Sequence, residues 1–252
     1  MRSMYSLDVR RQALHLLQAG ASLSDVSRRT GIARSTLRSW RDGPSTAVRV
    51  TLCAVEGSAD PLDRRRYAAL LGFYLGDGCV SAARTTFTLR ISCDAGQLGV
   101  IADVTRTMQA VRGPGSICHV HAPGVVVVQS SWKHWPCLFP QHGPGRKHER
   151  RLVLAPWQRE VVEAHPGDFL RGLFHSDGAR VRNWARRTVD GVTMRHEYAR
   201  WQFVNNSAEI RGWCTEALDL VGIPWRQSSW KCVSVSTRDG VAALDALIGP
   251  KT

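Results

Sequence analysis

The sequence has no apolar run approaching the roughly 18–20 residues that span a bilayer. Its first residues, MRSMYSLDVRRQ, hold no secretory h-region. A membrane-spanning or exported chain is therefore not expected. No Cys-x-x-Cys occurs, and the seven cysteines, at 53, 79, 93, 118, 137, 214 and 232, are odd in number. That argues against a disulfide framework and predicts reduced, buried thiols in a cytoplasm. Cys118, His119, His121, His134 and Cys137 match no standard zinc-finger spacing. Acidic residues are few: 21 Asp+Glu stand against 34 Lys+Arg, for a net charge of +13. Lysine is scarcer still, confined to Lys133, Lys147, Lys231 and Lys251.

The charge points to a polyanionic partner, with a basic surface kept only for solubility as the alternative. The length suits two compact domains, or one large one with an appendage. Residues 1–43 read as a separate unit. LDVRRQALHLLQAG carries apolar residues near helical spacing and stops at Gly20; SLSDVSRRTG follows, with Ser22 or Ser24 as N-cap and Gly31 at the turn. A third helix, ARSTLRSWRDG, turns Ile32, Leu37 and Trp40 inward and leaves Arg34, Ser35, Arg38, Ser39 and Arg41 outward. Two short helices across a Gly turn, the second rich in Arg and Ser, make a helix-turn-helix. ASLSDVSRRTGIARSTLRSW resembles that of transposases and resolvases. A purely structural three-helix bundle is the alternative.

Residues 44–64 read as a linker. The remainder contains a repeat: LLGFYLGDG at 70–78 and LRGLFHSDG at 170–178, with Asp77 and Asp177 one hundred positions apart. Asp-Gly by itself is a common turn signal and occurs five times, at 42, 77, 177, 190 and 239. Here each copy also places small residues four apart: Gly72 and Gly76, then Gly172 and Ser176. Such spacing lets two helix backbones approach closely. Gly78 and Gly178 are expected as left-handed caps. After each motif come strand-like segments (85–92, 198–205), an amphipathic helix (96–111, 207–222), more strand (116–131, 225–236) and a closing helix (near 133–139, 240–248). The predicted halves are 65–150 and 166–252, joined by a linker at 151–165 whose Trp157 packs across them. Each half would be an α+β unit, its sheet covered by helices on one face.

If the two motif helices pack side by side, Asp77 and Asp177 emerge together. A helix C-terminus disfavours a carboxylate, and two carboxylates repel. A hard divalent cation would relieve both problems and could activate water at a phosphodiester. Ordinary capping turns are the plainer reading.

The two motifs resemble those of the LAGLIDADG homing endonucleases, in the single-chain, two-motif form, across about residues 65–252. The sixth motif position, often Asp in the family, is Leu75 and His175 here. The resemblance implies a pseudo-two-fold fold of two αββαββα-type halves with antiparallel saddle sheets, beside a small all-α helix-turn-helix domain. It implies a helix interface at Gly72, Gly76, Gly172 and Ser176. It further implies that Asp77 and Asp177, with Gly76 and Ser176 in the ligand set, bind Mg²⁺ or Mn²⁺ at the scissile phosphates of double-stranded DNA. A monomeric pseudo-dimer, cytoplasmic and on the nucleoid when bound, is expected. A free-standing protein is the simplest case.

Lys147 lies 70 residues after Asp77 and Lys251 lies 74 after Asp177, in the matching contexts GPGRK and IGPK. They are assigned the basic position near each active site. Lys133 and Lys231, 56 and 54 residues after the same aspartates, read as a second repeat-related pair and are expected on DNA backbone. The wider expected DNA set is Arg34, Ser35, Arg38 and Arg41 in the first domain. In the halves it is Arg84, Arg90, Arg146, Arg180, Arg182, Asn205 and Arg226. Ser92, Asp94, Asn205 and Asn206, just before the amphipathic helices, suit either phosphate and water binding or capping. His142 and His148 flank Lys147 in a loop read as a phosphate contact or linker. Site-specific endonuclease activity is the expectation. A non-cleaving DNA-binding regulator and an RNA-binding intron maturase are the alternatives; intact aspartates favour the first reading, and the helix-turn-helix favours the regulator.

Overall fold

The computed structural model describes residues 7–41, 62–189 and 192–252. The chain divides into two compact units, Met1–Cys53 and Ala54–Thr252.

The first unit is three helices: α1 Leu7–Gln18, α2 Leu23–Thr30 and α3 Arg34–Arg41. Ser22 caps α2, its Oγ accepting from Asp25 N at 3.1 Å. Gly20 and Gly31 take left-handed φ of 91° and 70° at the two turns. Ala13, Val26, Ile32 and Leu37 form a small core, with Leu16, Leu17 and Trp40 packed against it. Arg34, Ser35, Arg38 and Arg41 lie exposed on α3.

The second unit repeats one order twice. The first half runs α4 Arg64–Leu75, β1 Gly78–Ala82, β2 Phe87–Asp94, α5 Leu98–Arg112, β3 Cys118–Ala122, β4 Val125–Ser131 and α6 Trp135–Leu138. After α7 (Pro156–Ala164), the second runs α8 Pro166–Asp177, β5 Gly178–Val189, β6 Val192–Val204, α9 Ala208–Leu220, β7 Arg226–Ser229, β8 Cys232–Val235 and α10 Arg238–Ile248. The sheets are antiparallel with matching orders, β1-β2-β4-β3 and β5-β6-β8-β7. The fold is mixed α+β, as the alternation of helical and strand periods requires.

Burial alternates along β2: Leu89, Ile91 and Cys93 are buried, while Ser92 and Asp94 are exposed. Strand geometry sends neighbours to opposite faces, so one face meets the helices and the other stays open. The same alternation separates Cys118 from His119, whose Nε2 lies 2.9 Å from Thr105 Oγ1 of α5. Those neighbours cannot converge on one ion. The described cysteines are free thiols; Cys93, Cys214 and Cys232 are buried, but Cys79 and Cys118 are exposed.

α4 and α8 form the seam between the halves. From Tyr67 to Leu75, α4 is buried on every side, which accounts for its lack of a polar face. A Cβ at Gly72 would lie 2.8 Å from Leu173 N and 2.9 Å from Gly172 Cα; one at Gly172 would lie 2.8 Å from Phe73 N. The helices therefore touch backbone to backbone.

Four expectations need correcting. Gly78 and Gly178 are not left-handed caps: both open strands, Gly178 at φ −89°, ψ 149°. Their need for glycine is steric, since a Cβ would meet Tyr74 Cα at 2.5 Å and Phe174 Cα at 2.7 Å. The segment at 151–165 is largely helix, its Gln158, Val161 and Val162 buried, and Trp157 lies 5.1 Å from the Tyr67 ring. The strands after the second motif are far longer than the apolar pattern suggested, because outside the covered sheet a hairpin needs no buried face. Finally, Lys133 and Lys231 are not equivalent: Lys133 follows β4, whereas Lys231 sits in the β7–β8 turn.

Candidate active site

A helix end leaves its last carbonyls without partners, and they carry the negative end of the helix dipole. In α4 they are met by Lys147, whose Nζ donates to Tyr74 O at 2.5 Å, Leu75 O at 2.7 Å and Gly76 O at 2.7 Å. At the end of α8, Lys251 Nζ donates to Phe174 O at 3.4 Å, Ser176 O at 2.9 Å and Gly178 O at 2.7 Å. Each ammonium thus directs its donors at backbone. The cation that the helix ends call for is in part supplied by the chain itself.

The loop bearing Lys147 is held by a buried amide network. Tyr67 Oη donates to Leu138 O at 2.5 Å, Gln158 Nε2 donates to Tyr67 Oη at 2.6 Å, and Gln141 Nε2 donates to Gln158 Oε1 at 2.5 Å. Sequence reasoning missed this network. Its signal was Gln158 on the same helical face as Val161 and Val162.

The pockets are crossed between halves. Asp177 lines a cavity of about 520 Å³ with Gly76, Lys147, Asn205, Asn206 and Lys231. Asp77 lines one of about 210 Å³ with Ser176, Lys251, Ser92, Asp94 and Gln97. A Cβ at Gly76 would lie 2.8 Å from Ser176 Oγ and 3.3 Å from Asp177 Oδ2, so the helix ends abut. Each aspartate therefore shares its cavity with the lysine and helix end of the opposite half. The simpler pairing of Lys147 with Asp77 and Lys251 with Asp177, along the sequence, is not how the cavities are lined.

Burial pushes the Asp177 carboxyl up to about 6, aided by the Asp77 charge and opposed by Asn205 and both lysines. Asn205 Nδ2 donates to Asp177 Oδ2 at 2.6 Å. Asp77 is also raised by burial, against the pull of Lys147 and Lys251. Burial draws Lys147 down to about 8, although Asp177 and Asp77 favour its charge, and Lys251 is lowered for the same reason. His175 is buried beside the Asp77 cavity, lowered by burial, with no partner for Nδ1 among the described residues.

Among the described residues no group of three His, Cys, Asp or Glu could hold a metal. The donor set nevertheless suits Mg²⁺, which binds through one or two carboxylates and keeps water or substrate phosphate in its remaining positions. The close approach of hard oxygens supports this fit: a Cβ at Gly76 would lie 2.8 Å from Ser176 Oγ and 3.3 Å from Asp177 Oδ2, so the carboxylate stands against the opposite helix end.

A family model for a homeodomain-like domain matches residues 4–45. No curated protein sequence matches the chain. Solved structures similar to it include the N-terminal LAGLIDADG domain of WhiA, at 13% identity and TM-score 0.48, covering 75% of this chain and 83% of that one. The LAGLIDADG meganuclease I-AabMI bound to uncleaved DNA is 11% identical at TM-score 0.46, over 72% and 82%. I-DmoI in complex with DNA and Mn is 14% identical at TM-score 0.47, over 75% and 99%.

The residues expected on DNA separate by face. Arg90 lies on the open face of the first sheet, its Nε donating to Gln129 Oε1 at 3.1 Å and its Nη1 to Ser81 Oγ at 2.5 Å. Arg84 and Lys133 are exposed at turns, and Arg226 is exposed on β7 opposite Ser234. Arg146 is exposed beside the Asp177 cavity, 3.7 Å from Glu149. Lys231 Nζ sits 5.8 Å from the Trp230 ring centroid. Arg180 is a correction: it lies across from Trp201 on the helix-side face, where its Nε and Nη2 donate to the two carboxylate oxygens of Asp245 of α10, each at 2.9 Å. Arg182, across from Ala199 on the same face, is exposed. The open face carries Asn183, Tyr198, Arg200 and Gln202 instead, a period-two count that the unrecognised start of β5 had obscured.

Proposed function

We propose that this chain is a LAGLIDADG-type, Mg²⁺-dependent endonuclease that cuts both strands of a specific duplex. The observation that carries the reading is the pair of crossed cavities at one seam, each lined by an aspartate, a residue of the opposite helix end and a clamped lysine. Two such cavities suit two scissile phosphates. The net charge of +13 and the open sheet faces supply attraction and contact surface for the duplex. Asp77 and Asp177, with Gly76 and Ser176 carbonyls, would hold the cation. Bound there, Mg²⁺ supplies an activated water and stabilises the leaving oxygen. Asn205 fixes the orientation of the Asp177 carboxylate. Lys147 and Lys251 fix the helix ends from which both aspartates project.

One observation favours a non-cleaving, sequence-specific DNA-binding regulator on the same fold. The lysines engage the very carbonyls, Gly76 O and Ser176 O, that a metal would share. The test is selection from a randomised duplex library in EDTA, then incubation of the selected duplex with Mg²⁺ or Mn²⁺. Double-strand cutting by the wild type, lost in Asp77→Asn and in Asp177→Asn, supports the nuclease. Specific binding with an intact duplex in both metals establishes the regulator.

A further inference from the structure

The two halves differ most in the hairpin that follows each motif helix. β1 and β2 have five and eight residues, and β2 is flanked by β4 from Thr88 to Asp94. β5 and β6 have 12 and 13, yet β8 pairs with β6 only at Trp201–Val204. Residues 192–200 thus pair with β5 alone, as a two-stranded ribbon projecting beyond the sheet. At about 3.4 Å per residue, the ribbon reaches roughly 30 Å, most of one helical turn of DNA.

An isolated hairpin is at best marginally stable in water. This one carries its own cross-strand contacts: Asn183 Nδ2 donates to Tyr198 Oη at 2.7 Å, and Thr188 and Thr193 hydroxyls lie 3.0 Å apart. Trp184 is 49% exposed, with the Arg186 and Arg195 guanidinium groups 5.7 and 5.1 Å from its ring centroid, on the face that carries Arg180 and Arg182. The open face carries Asn183, His196, Tyr198 and Arg200, so both faces present cationic or hydrogen-bonding groups. The ribbon's polar surface is mainly cationic, with Arg195 partly offset by Glu197 at 2.8 Å. Arg200 has no acceptor for its Nε among the described residues, and Met194 is 62% exposed.

We infer that this ribbon is a one-sided arm for the major groove, so that the second half contacts a longer stretch of duplex than the first. The inference rests on the proposed duplex partner. A two-stranded ribbon fits the width of a major groove, a charged one is drawn to phosphate, and its open face continues that of the second sheet. The first half has no counterpart, because β1 ends at Ala82 and its turn reaches only to Thr86.

The test is hydroxyl-radical footprinting of the full chain on a duplex selected in EDTA. Asn183 and Tyr198 are cross-strand neighbours. Replacing residues 184–197 with Asn-Gly therefore closes a two-residue hairpin at that pair. The wild type should protect one flank farther out than the other. The trimmed chain should lose that outer flank alone and weaken about tenfold or more. His196→Ala with Arg200→Gln, which keeps the ribbon, should relax base preference on the same flank. A central footprint with equal flanks, or an outer flank that survives trimming, overturns the arm while leaving the duplex partner standing. Enrichment of no duplex sequence overturns both.

Discussion

At the end of α4 one ammonium group meets three carbonyls, and at the end of α8 another does the same. Just past those helix ends the halves diverge, with five residues in β1 against 12 in β5. The difference follows from what each region touches. At the seam Gly72 faces Gly172, and Gly76 faces Ser176 and Asp177, so a change in one copy must be accommodated by the other. Residues 192–200 of the β5–β6 ribbon pair with β5 alone, so their length is not set by a second strand. Mutual contact keeps the centre alike, and the periphery is where the halves can specialise.

The aspartates should show the largest effect. Asp77→Asn or Asp177→Asn should lower double-strand cleavage by about 10³-fold or more, since metal stabilisation of the transition state amounts to several kcal/mol. Binding in EDTA should persist; variants that cut at wild-type rates would break the symmetry of the centre. Next comes the seam itself. Gly172→Val should cost about 3 kcal/mol or more in thermal unfolding, because backbone on α4 has no room to withdraw. An unchanged melting temperature would show that the helices can part.

The third effect is electrostatic. A carboxyl raised to about 6 binds its proton more tightly folded than unfolded, so its contribution is most favourable near pH 4 and is lost as pH rises to 6. In EDTA at pH 7, Asp177→Asn should therefore be more stable than the wild type by about 2–3 kcal/mol. The gap should open between pH 4 and 6 and narrow with Mg²⁺. A constant gap across that range would contradict the assigned cause.

Lys147→Met and Lys251→Met should each lower stability by about 1–2 kcal/mol, the former more because its contacts are shorter. Neither should alter the salt dependence of DNA binding, whereas Lys231→Met should reduce that slope by about 1. A reduced slope in Lys147→Met would make that lysine a phosphate contact rather than a clamp. The smallest effect is a control: a Cβ at Gly212 in α9 meets nothing within 4 Å, so Gly212→Ala should stabilise by about 0.5–1 kcal/mol. Glycine at the seam and glycine on a free helix face then respond with opposite signs.

Much of the centre was legible in the sequence because repetition exposed it. Asp77, Asp177 and the small residues four apart stand out against a background of ordinary turns. The scarcity of lysine made Lys147 and Lys251 conspicuous. Their partners were not legible, since a sequence offset carries no information on which half a side chain crosses to. The start of β5 was missed because its inward positions hold arginine, with Arg180 satisfied by Asp245 rather than buried in apolar contact. α7 is hard to read from the sequence because it is short and begins at a proline, a residue that serves equally in a loop and at the first position of a helix, where Pro156 stands.

The crossed arrangement is tested most directly by cleavage of a selected duplex carrying a different label on each strand. Asp177→Asn and Lys147→Met are expected to slow cutting of the same strand, and Asp77→Asn and Lys251→Met that of the other. If Lys147→Met instead slows the strand affected by Asp77→Asn, or if the wild type leaves both strands intact in Mg²⁺ and Mn²⁺, the two crossed cavities are not the active sites proposed for them.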